Sequence, residues 1–532
     1  MAPPRRKTKT SWRSRLASSR AWELAGPTLG TFPNWRSWLP LSLAVGLAGT
    51  ALGAFLYVAL RRMNYPFELE WMEGSIVEHV QRVLDGKPIY ASPSVEFVPY
   101  LYNPLYYYLS ALAAKALGNG YSTLRMVSFC CTLALFATLY DLVARESKSR
   151  ISAVLTLGVF AGTFGLNGQW FDLARTDALF MALLLGSAWF VRFAQRKRGL
   201  VAGATLLCLA FLAKQAALPS LAALALGAWA LYGFRRSLWF TLPAVLLTAC
   251  SVLCLNLWTG GWYWYYAFMV PFGHTTGSRA SLVLDFWRVE TLAQLPVPTL
   301  AFIVLLVSPK AGTRRGPWLF YVLFCSCQVI GAYLVRIHGG SYLNDLIPAH
   351  LGLSIAFGLV LAAGFERAKD LGPWLLERAR MLGGIVAAVQ LAALIYNPQA
   401  MLPGARDREA GMAFIERLRE APGEVFVPQH PNYARLAGKP SQAAFQAISD
   451  VLLLDADPFD AKRTLYRAFH EAFASHRFST IVLDHRDRWF FGDDLHDYYR
   501  PAGIAWFEQA DVFFPITGGP CRPDWVYLPA RP

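Results

Sequence analysis

Residues 38–60 read WLPLSLAVGLAGTALGAFLYVAL, an apolar run without a single charge. A helix needs roughly 20 such residues to cross the core of a bilayer, so this segment is long enough to span. The 37 residues ahead of it hold eight Lys/Arg against one acid, Glu23. A cleavable signal would carry an apolar core of only about 7–15 residues, so the run reads as a retained first span. Working outward, comparable segments recur at about 126–144, 151–168, 177–191, 200–213, 216–233, 237–258, 291–308, 317–335, 346–365 and 381–397. The pattern predicts a polytopic α-helical membrane protein with about eleven spans. Composition agrees: 55% of residues are apolar or aromatic and 16% are charged, where soluble domains carry about 25% charged residues. That excludes a soluble enzyme, a disordered chain and a disulfide scaffold. The formal charge of +15 lies mostly between apolar segments, so it reads as membrane topology and no nucleic-acid partner is expected. Seven of the eight cysteines (Cys130, Cys131, Cys208, Cys250, Cys254, Cys325, Cys327) sit inside those segments as small hydrophobes, and Cys521 stands apart. No spacing suggests a zinc site or a disulfide framework.

Charge asymmetry orients the chain. With the basic tail 1–37 in the cytoplasm, the inner connections hold 24 Lys/Arg and the longer outer ones 11, as the positive-inside rule requires. Asn103 to Asn119 (NPLYYYLSALAAKALGN) is apolar enough to pass for a span. Counting it would turn Arg192, Arg196, Lys197 and Arg198 outward, so it is expected to lie flat on the outer surface with its tyrosines at headgroup level. The expected organisation is a transmembrane domain over 38–397, containing a long outer loop at 61–125, followed by an extracytoplasmic soluble domain over 398–532. In the latter, charged amphipathic helices (Ala410 to Glu420, Ala461 to His476) alternate with short strands (Glu424–Pro428, Thr480–Asp484), which predicts a small α/β domain. The expected location is the inner (plasma) membrane.

The outer loop begins Glu68-Leu-Glu70-Trp-Met-Glu73-Gly-Ser-Ile-Val-Glu78-His79. Ile76, Val80, Val83 and Leu84 then repeat at i, i+4, i+7 and i+8, one face of a short helix. Glu73 sits where the helix dipole favours an ionised carboxylate, and a carboxylate at the lipid–water boundary suits a general base. The plainer alternative is that Glu68, Glu70 and Glu73 are solvated loop acids. A first span, an acid opening a surface helix that ends Val83-Leu84-Asp85-Gly86, a Pro/Tyr segment and a second surface helix follow one another here. This order resembles the GT-C superfamily of integral-membrane glycosyltransferases, near the bacterial protein-mannosyltransferase and aminoarabinose-transferase branch. The resemblance implies that Glu73 is the catalytic acid, with Glu70 next in line, although relatives usually have Asp-Glu where this chain has Glu73-Gly74. Tyr102-Asn103-Pro104-Leu105-Tyr106 stands where relatives have Lys-Pro-Pro, without the lysine that contacts the donor phosphate in relatives, and Tyr102 and Tyr106 are expected sugar or acceptor contacts.

Further polar residues reach the same face. Asp172, Arg175 and Asp177 precede the fourth span, Lys214 ends the fifth, and Arg336 and His338 open the loop before the tenth. Arg175, Lys214, Arg336 and His338 are the expected donor-phosphate cations, and Asp177 and His274 are further expected sugar or acceptor contacts. The alternative is snorkelling, in which Lys or Arg near a span end only reaches for the interface. Lys214 fits that less well, because it interrupts a hairpin. The aromatic run Trp258 to Tyr266 reads first as an interfacial belt. The inner loops are too short for a nucleotide-binding module. The expected function is therefore transfer of a hexosyl or pentosyl unit from a polyprenyl-phosphate donor to a lipid, glycan or protein acceptor. No cofactor or metal is expected to be required, since no well-spaced ligand set is present. The alternatives are a transporter or flippase, or a polymerase or ligase, of lipid-linked sugars. A transporter should carry polar residues at mid-span and paired halves, whereas here polar residues gather at one face.

Overall fold

A computed structural model describes residues 35–273, 280–308, 315–338, 340–455, 457–486, 492–503 and 506–530. The helices that matter here are α1 (Trp35–Arg62), α2 (Glu73–Leu84), α3 (Leu105–Leu117), α4 (Tyr121–Ser147), α5 (Arg150–Gly162), α6 (Asp177–Phe193), α7 (Lys197–Ala213), α8 (Leu218–Tyr232), α9 (Phe234–Trp258), α10 (Pro296–Val307), α11 (Arg315–Arg336), α12 (Ile347–Leu371) and α13 (Pro373–Ala393). Each of the eleven apolar segments carries a helix. Among the described residues, six helices are long and apolar enough to cross a membrane, or up to eight if each of two bent pairs is one span. The shorter helices have a physical cause. The outer part of the segment expected at 151–168 leaves the helix after Gly162, and α6 starts only at Asp177. The chain between them unwinds because its polar groups bond other elements instead of the helical ladder. Small residues let the helices approach closely. A Cβ on Gly384 of α13 would lie 2.5 Å from the backbone nitrogen of Leu41 in α1, so no larger residue fits that crossing.

The C-terminal part contains α14 (Ala405–Glu420), β1 (Glu424–Phe426), α15 (Pro431–Leu436), α16 (Phe445–Leu452), α17 (Ala461–Ala474), β2 (Phe478–Leu483), β3 (Tyr499–Pro501) and β4 (Trp525–Pro529). The strands form one sheet in the order β1-β2-β4-β3. β1 and β2 are parallel, with Val425 opposite Thr480, and the long crossover that a parallel pair needs is supplied by α15 to α17. β4 runs antiparallel to both neighbours.

This unit is clamped onto the outer loop. The Thr517 amide donates to the Leu69 carbonyl (3.1 Å) and the Ala443 amide to the Val95 carbonyl (2.8 Å). Phe67 packs edge-on against Tyr433 and Phe513. As a result α2 is covered on two sides: Ile76, Val77 and Val80 enter the main core, while Glu73, Ser75, Glu78 and His79 are buried as well.

Candidate active site

The site is assembled around two glutamates that the fold treats in opposite ways. Glu73 is fully buried and saturated. Its carboxylate accepts from Arg125 Nε (3.0 Å) and Nη2 (2.5 Å), from the Leu69 amide (2.8 Å) and from the Ala174 amide (2.8 Å). Arg125 spends its remaining donors on the carbonyls of Tyr65 (2.7 Å) and Phe67 (2.6 Å). Burial alone would raise the Glu73 pKa, but Arg125 and the two amides hold it below the ordinary carboxylate value. Next to it, Gly74 donates its amide to Glu68 (3.2 Å), and a Cβ there would fall 2.1 Å from Glu68 Oε1.

Glu70 is just as buried, and its carboxylate takes fewer donors: Oε2 accepts from Arg175 Nη1 at 3.3 Å, the Met72 backbone amide adds a weaker contact, and Oε1 has no side-chain partner among the described residues. Burial pushes its carboxyl up to about 8 despite the pull of Arg175. Arg175 also donates to the Tyr102 hydroxyl (2.8 Å) and lies over the rings of Tyr102 and Trp170. Trp170 Nε1 donates to Asp177 (3.1 Å). Asp177 in turn accepts from Lys214 Nζ (2.7 Å) and Asn344 (3.1 Å), while Lys214 lies 3.7 Å from Asp345. From Lys214 a largely apolar cavity of about 140 Å³, lined by Phe180, Met181, Pro219, Val335 and Ile347, opens between α6, α8, α11 and α12. Glu70 is thus connected through Arg175, Trp170 and Asp177 to Lys214, which stands at the mouth of a greasy groove.

Neither a protein-family model nor a curated protein matches the sequence. Solved structures do match. ArnT from Cupriavidus metallidurans bound to undecaprenyl phosphate superposes with a TM-score of 0.55 at 13% identity, covering 91% of this chain and 97% of that one. Its apo state gives 0.54 at 14%, covering 82% and 92%. The archaeal oligosaccharyltransferase AglB from Archaeoglobus fulgidus, in complex with an inhibitory peptide and a dolichol-phosphate, gives 0.51 at 12%, covering 84% and 70%. Both are GT-C superfamily glycosyltransferases. The chain has the GT-C fold.

Within this GT-C fold, Glu70, Arg175, Tyr102, Asp177 and Lys214 come together, and Glu73 adjoins them through the 169–176 segment. Arg336 is committed elsewhere: Glu290 grips it at 2.7–3.1 Å and Ser341 accepts from it at 3.1 Å. His338 is exposed beyond it. The Tyr106 hydroxyl is used up on the Leu124 carbonyl and Ser128, so that side chain braces α3 against α4. Asp172 is paired with Arg62 (2.6 Å). His274 lies outside the described residues. From the aromatic run, Tyr263, Tyr265 and Tyr266 are buried in the protein core. Among the described residues, no group of three or more His, Cys, Asp or Glu is arranged as a metal set.

Three features escaped the sequence reading. Arg125 is the only charged residue between Lys115 and Asp141, and an isolated cation at the start of an apolar helix was the available signal. Trp170 gave none. The third is a buried relay from the outer loop to the C-terminal part. Glu68 meets His430 Nδ1, whose Nε2 lies 3.1 Å from Asp484. Burial would lower His430, but Asp484 and Glu68 outweigh it and push it up to about 10.

Proposed function

We propose that the chain transfers a glycosyl unit from a polyprenyl-phosphate donor to a lipid, glycan or protein acceptor at the outer face of the membrane, without a nucleotide. The observation that carries this reading is Glu70: a buried carboxylate with one oxygen lacking a side-chain partner, paired with Arg175 and connected through Trp170 and Asp177 to Lys214 at the mouth of an apolar groove. The match to an ArnT structure bound to undecaprenyl phosphate supports the same reading. The carrier chain would lie in the groove and its phosphate near Lys214. The Tyr102 hydroxyl, which accepts from Arg175, keeps its own proton to donate to a phosphate oxygen. Glu70 takes the proton from the acceptor hydroxyl or amine. The acceptor atom bonds the anomeric carbon, and the carbon–oxygen bond to the phosphate breaks with its electron pair leaving on the phosphate. Arg175 and Lys214 receive that charge. Attack from the face opposite the phosphate inverts the anomeric centre.

Glu70 is preferred over Glu73 as the base because four donors already occupy the Glu73 oxygens. Glu73 then acts as the buried anchor that fixes α2. The proposed setting is eleven spans in the inner membrane, with the tail 1–37 inside, 38–397 as the transmembrane domain and 398–532 outside. No metal is proposed, and activity is expected to survive chelation; loss in EDTA with recovery on adding Mg²⁺ or Mn²⁺ would overturn that point. The deciding experiment incubates purified protein with a panel of radiolabelled polyprenyl-phosphate sugars and membrane-extracted acceptors. Transfer that falls about 10²–10⁴-fold in Glu70→Gln is the expected result. Movement of the donor across vesicles with no transfer would replace the enzyme by a transporter.

A further inference from the structure

A second cavity of about 330 Å³ opens on the other side of α2, between the Asp85–Val98 segment and residues 431–444. That volume is at the lower end of the roughly 300–1,000 Å³ of small-molecule sites. In contrast to the groove beside Lys214, ten of its fifteen lining residues are polar or charged and about half of its wall is polar. Two buried side chains line it: Ser75, at 1% exposure, whose hydroxyl lies against that of Tyr100, and Gln442, at 5%, whose Oε1 has no hydrogen-bond partner among the described residues. Buried polar groups are rarely left unpaired, so the amide oxygen calls for a ligand that donates, and a serine hydroxyl in the same wall can accept from or donate to that ligand. A polyhydroxylated ring does this.

The cavity also holds an uncommitted cation. Arg82 stacks on the Phe97 ring (4.2 Å) and donates Nε to the Pro88 carbonyl (2.6 Å), but no acceptor among the described residues meets its terminal nitrogens. Burial holds its pKa below the usual arginine value. Asp85 attracts it through space without forming a salt bridge, and the other acids at the rim are bound elsewhere. Glu78 is taken by Arg435 and Asn432, Glu96 by Arg477, and Asp85 by Gln81. The floor is His79, on which Tyr100 stacks at 4.8 Å; Tyr100 in turn packs edge-on against Tyr102, the partner of Arg175. One tyrosine therefore separates this cavity from Glu70 and the donor side.

We propose that this cavity binds the saccharide portion of the acceptor, one carrying a negative charge, with Arg82 taking the anion and Ser75 and Gln442 the hydroxyls. This deepens the proposed function and rests on it: an apolar groove brings the donor from the membrane side, and a polar cavity brings the acceptor from the aqueous side. The anion is a phosphate or a carboxylate on the sugar.

The test uses the full chain in detergent, with glucose, glucuronic acid and glucose 6-phosphate as probes and saturation-transfer NMR titration as the readout. Undecaprenyl phosphate binding is measured in parallel. One or both charged sugars should bind about tenfold more tightly than glucose, as one charge-assisted hydrogen-bonded contact provides, and which of them does so names the anion. Arg82→Met should abolish the preference, Arg82→Lys should keep part of it, and Gln442→Leu should weaken all three sugars. All three variants should bind undecaprenyl phosphate like the parent, which also reports that they are folded. Equal binding of glucose and both charged sugars would overturn the proposal, as would a preference that survives Arg82→Met or sugar binding displaced by undecaprenyl phosphate. A parent protein that binds the charged sugars but not undecaprenyl phosphate would instead remove the donor reading and leave this site standing.

Discussion

At the scale of single residues, two carboxylates three positions apart are tuned in opposite directions by their surroundings. Glu73 is held ionised by a bidentate arginine and two amides, whereas Glu70 is pushed up to about 8 by burial. A base whose pKa lies near the working pH is efficient at proton transfer. In its proposed role as the base Glu70 must lose its proton, so turnover should rise with pH through an apparent pKa near 8. The same shift has the opposite sign for stability. A carboxyl raised in the folded state contributes stability that is fully present below the ordinary carboxylate range and is lost as pH rises through the folded value. A pH–rate profile and thermal melts over the same range should therefore slope in opposite directions, and a rate that falls from pH 6 to 9 would sink Glu70 as base. Glu73→Gln is a different kind of lesion. Breaking one side of a buried ion pair typically costs about 3–5 kcal/mol, because Arg125 is left charged and partly unpaired. Its expected signature is a large drop in melting temperature, with the pH dependence of any remaining activity unchanged.

At the scale of elements, α2 shows what the sequence carried and what it withheld. The spacing of Ile76, Val80, Val83 and Leu84 foretold one buried face, and the helix begins at Glu73 as its acid suggested. The burial of Glu78 on the other side was not legible, because it is caused by Asn432 and Arg435, more than 350 positions away, while His79 is covered by Phe97, Tyr100 and Tyr107. Periodicity reports one face packed by the main core; it cannot report a second face covered by a distant polar surface. For the same reason the bonds of Glu73 and Glu70 could not be ranked from spacing, since their partners Arg125 and Arg175 lie 52 and 105 residues on. Lys214, in contrast, was readable as an unusual cation because it interrupts an apolar hairpin, and it does end α7. Its two carboxylate neighbours leave the cluster negative when Lys214 is removed. Lys214→Ala should accordingly weaken undecaprenyl phosphate binding by at least about tenfold, measured by scintillation proximity in detergent, and Lys214→Arg should restore part of it. Unchanged binding would move the phosphate away from this end of the groove.

At the scale of the whole molecule, the apolar segments and their order along the chain were legible, while the helix lengths were not. The outer end of the 151–168 segment unwinds into the loop that holds Asp172 and Arg175, and hydropathy cannot see a backbone that trades its helical bonds for those of other elements. Orientation follows from a different physical quantity, the split of 24 Lys/Arg on one set of connections against 11 on the other. Basic connections are retained in the cytoplasm, so Arg192 to Arg198 should be inside. The fold makes a linked demand. Residues 430–435 and Thr517 are clamped to the loop that contains Glu70, through Arg435–Glu78, His430–Glu68 and the Thr517–Leu69 bond. The C-terminal part must therefore stand on the same side of the membrane as Glu70, whichever side that is. Reporter fusions after Arg198 and after Pro398 should consequently give opposite compartments, cytoplasmic and outer. A cysteine introduced at exposed Arg463 of α17 should be labelled by a membrane-impermeant reagent from the outside of intact cells. If both fusions report the cytoplasm and the cysteine stays unlabelled, Glu70 faces inward, and the donor must be presented from the cytoplasmic leaflet.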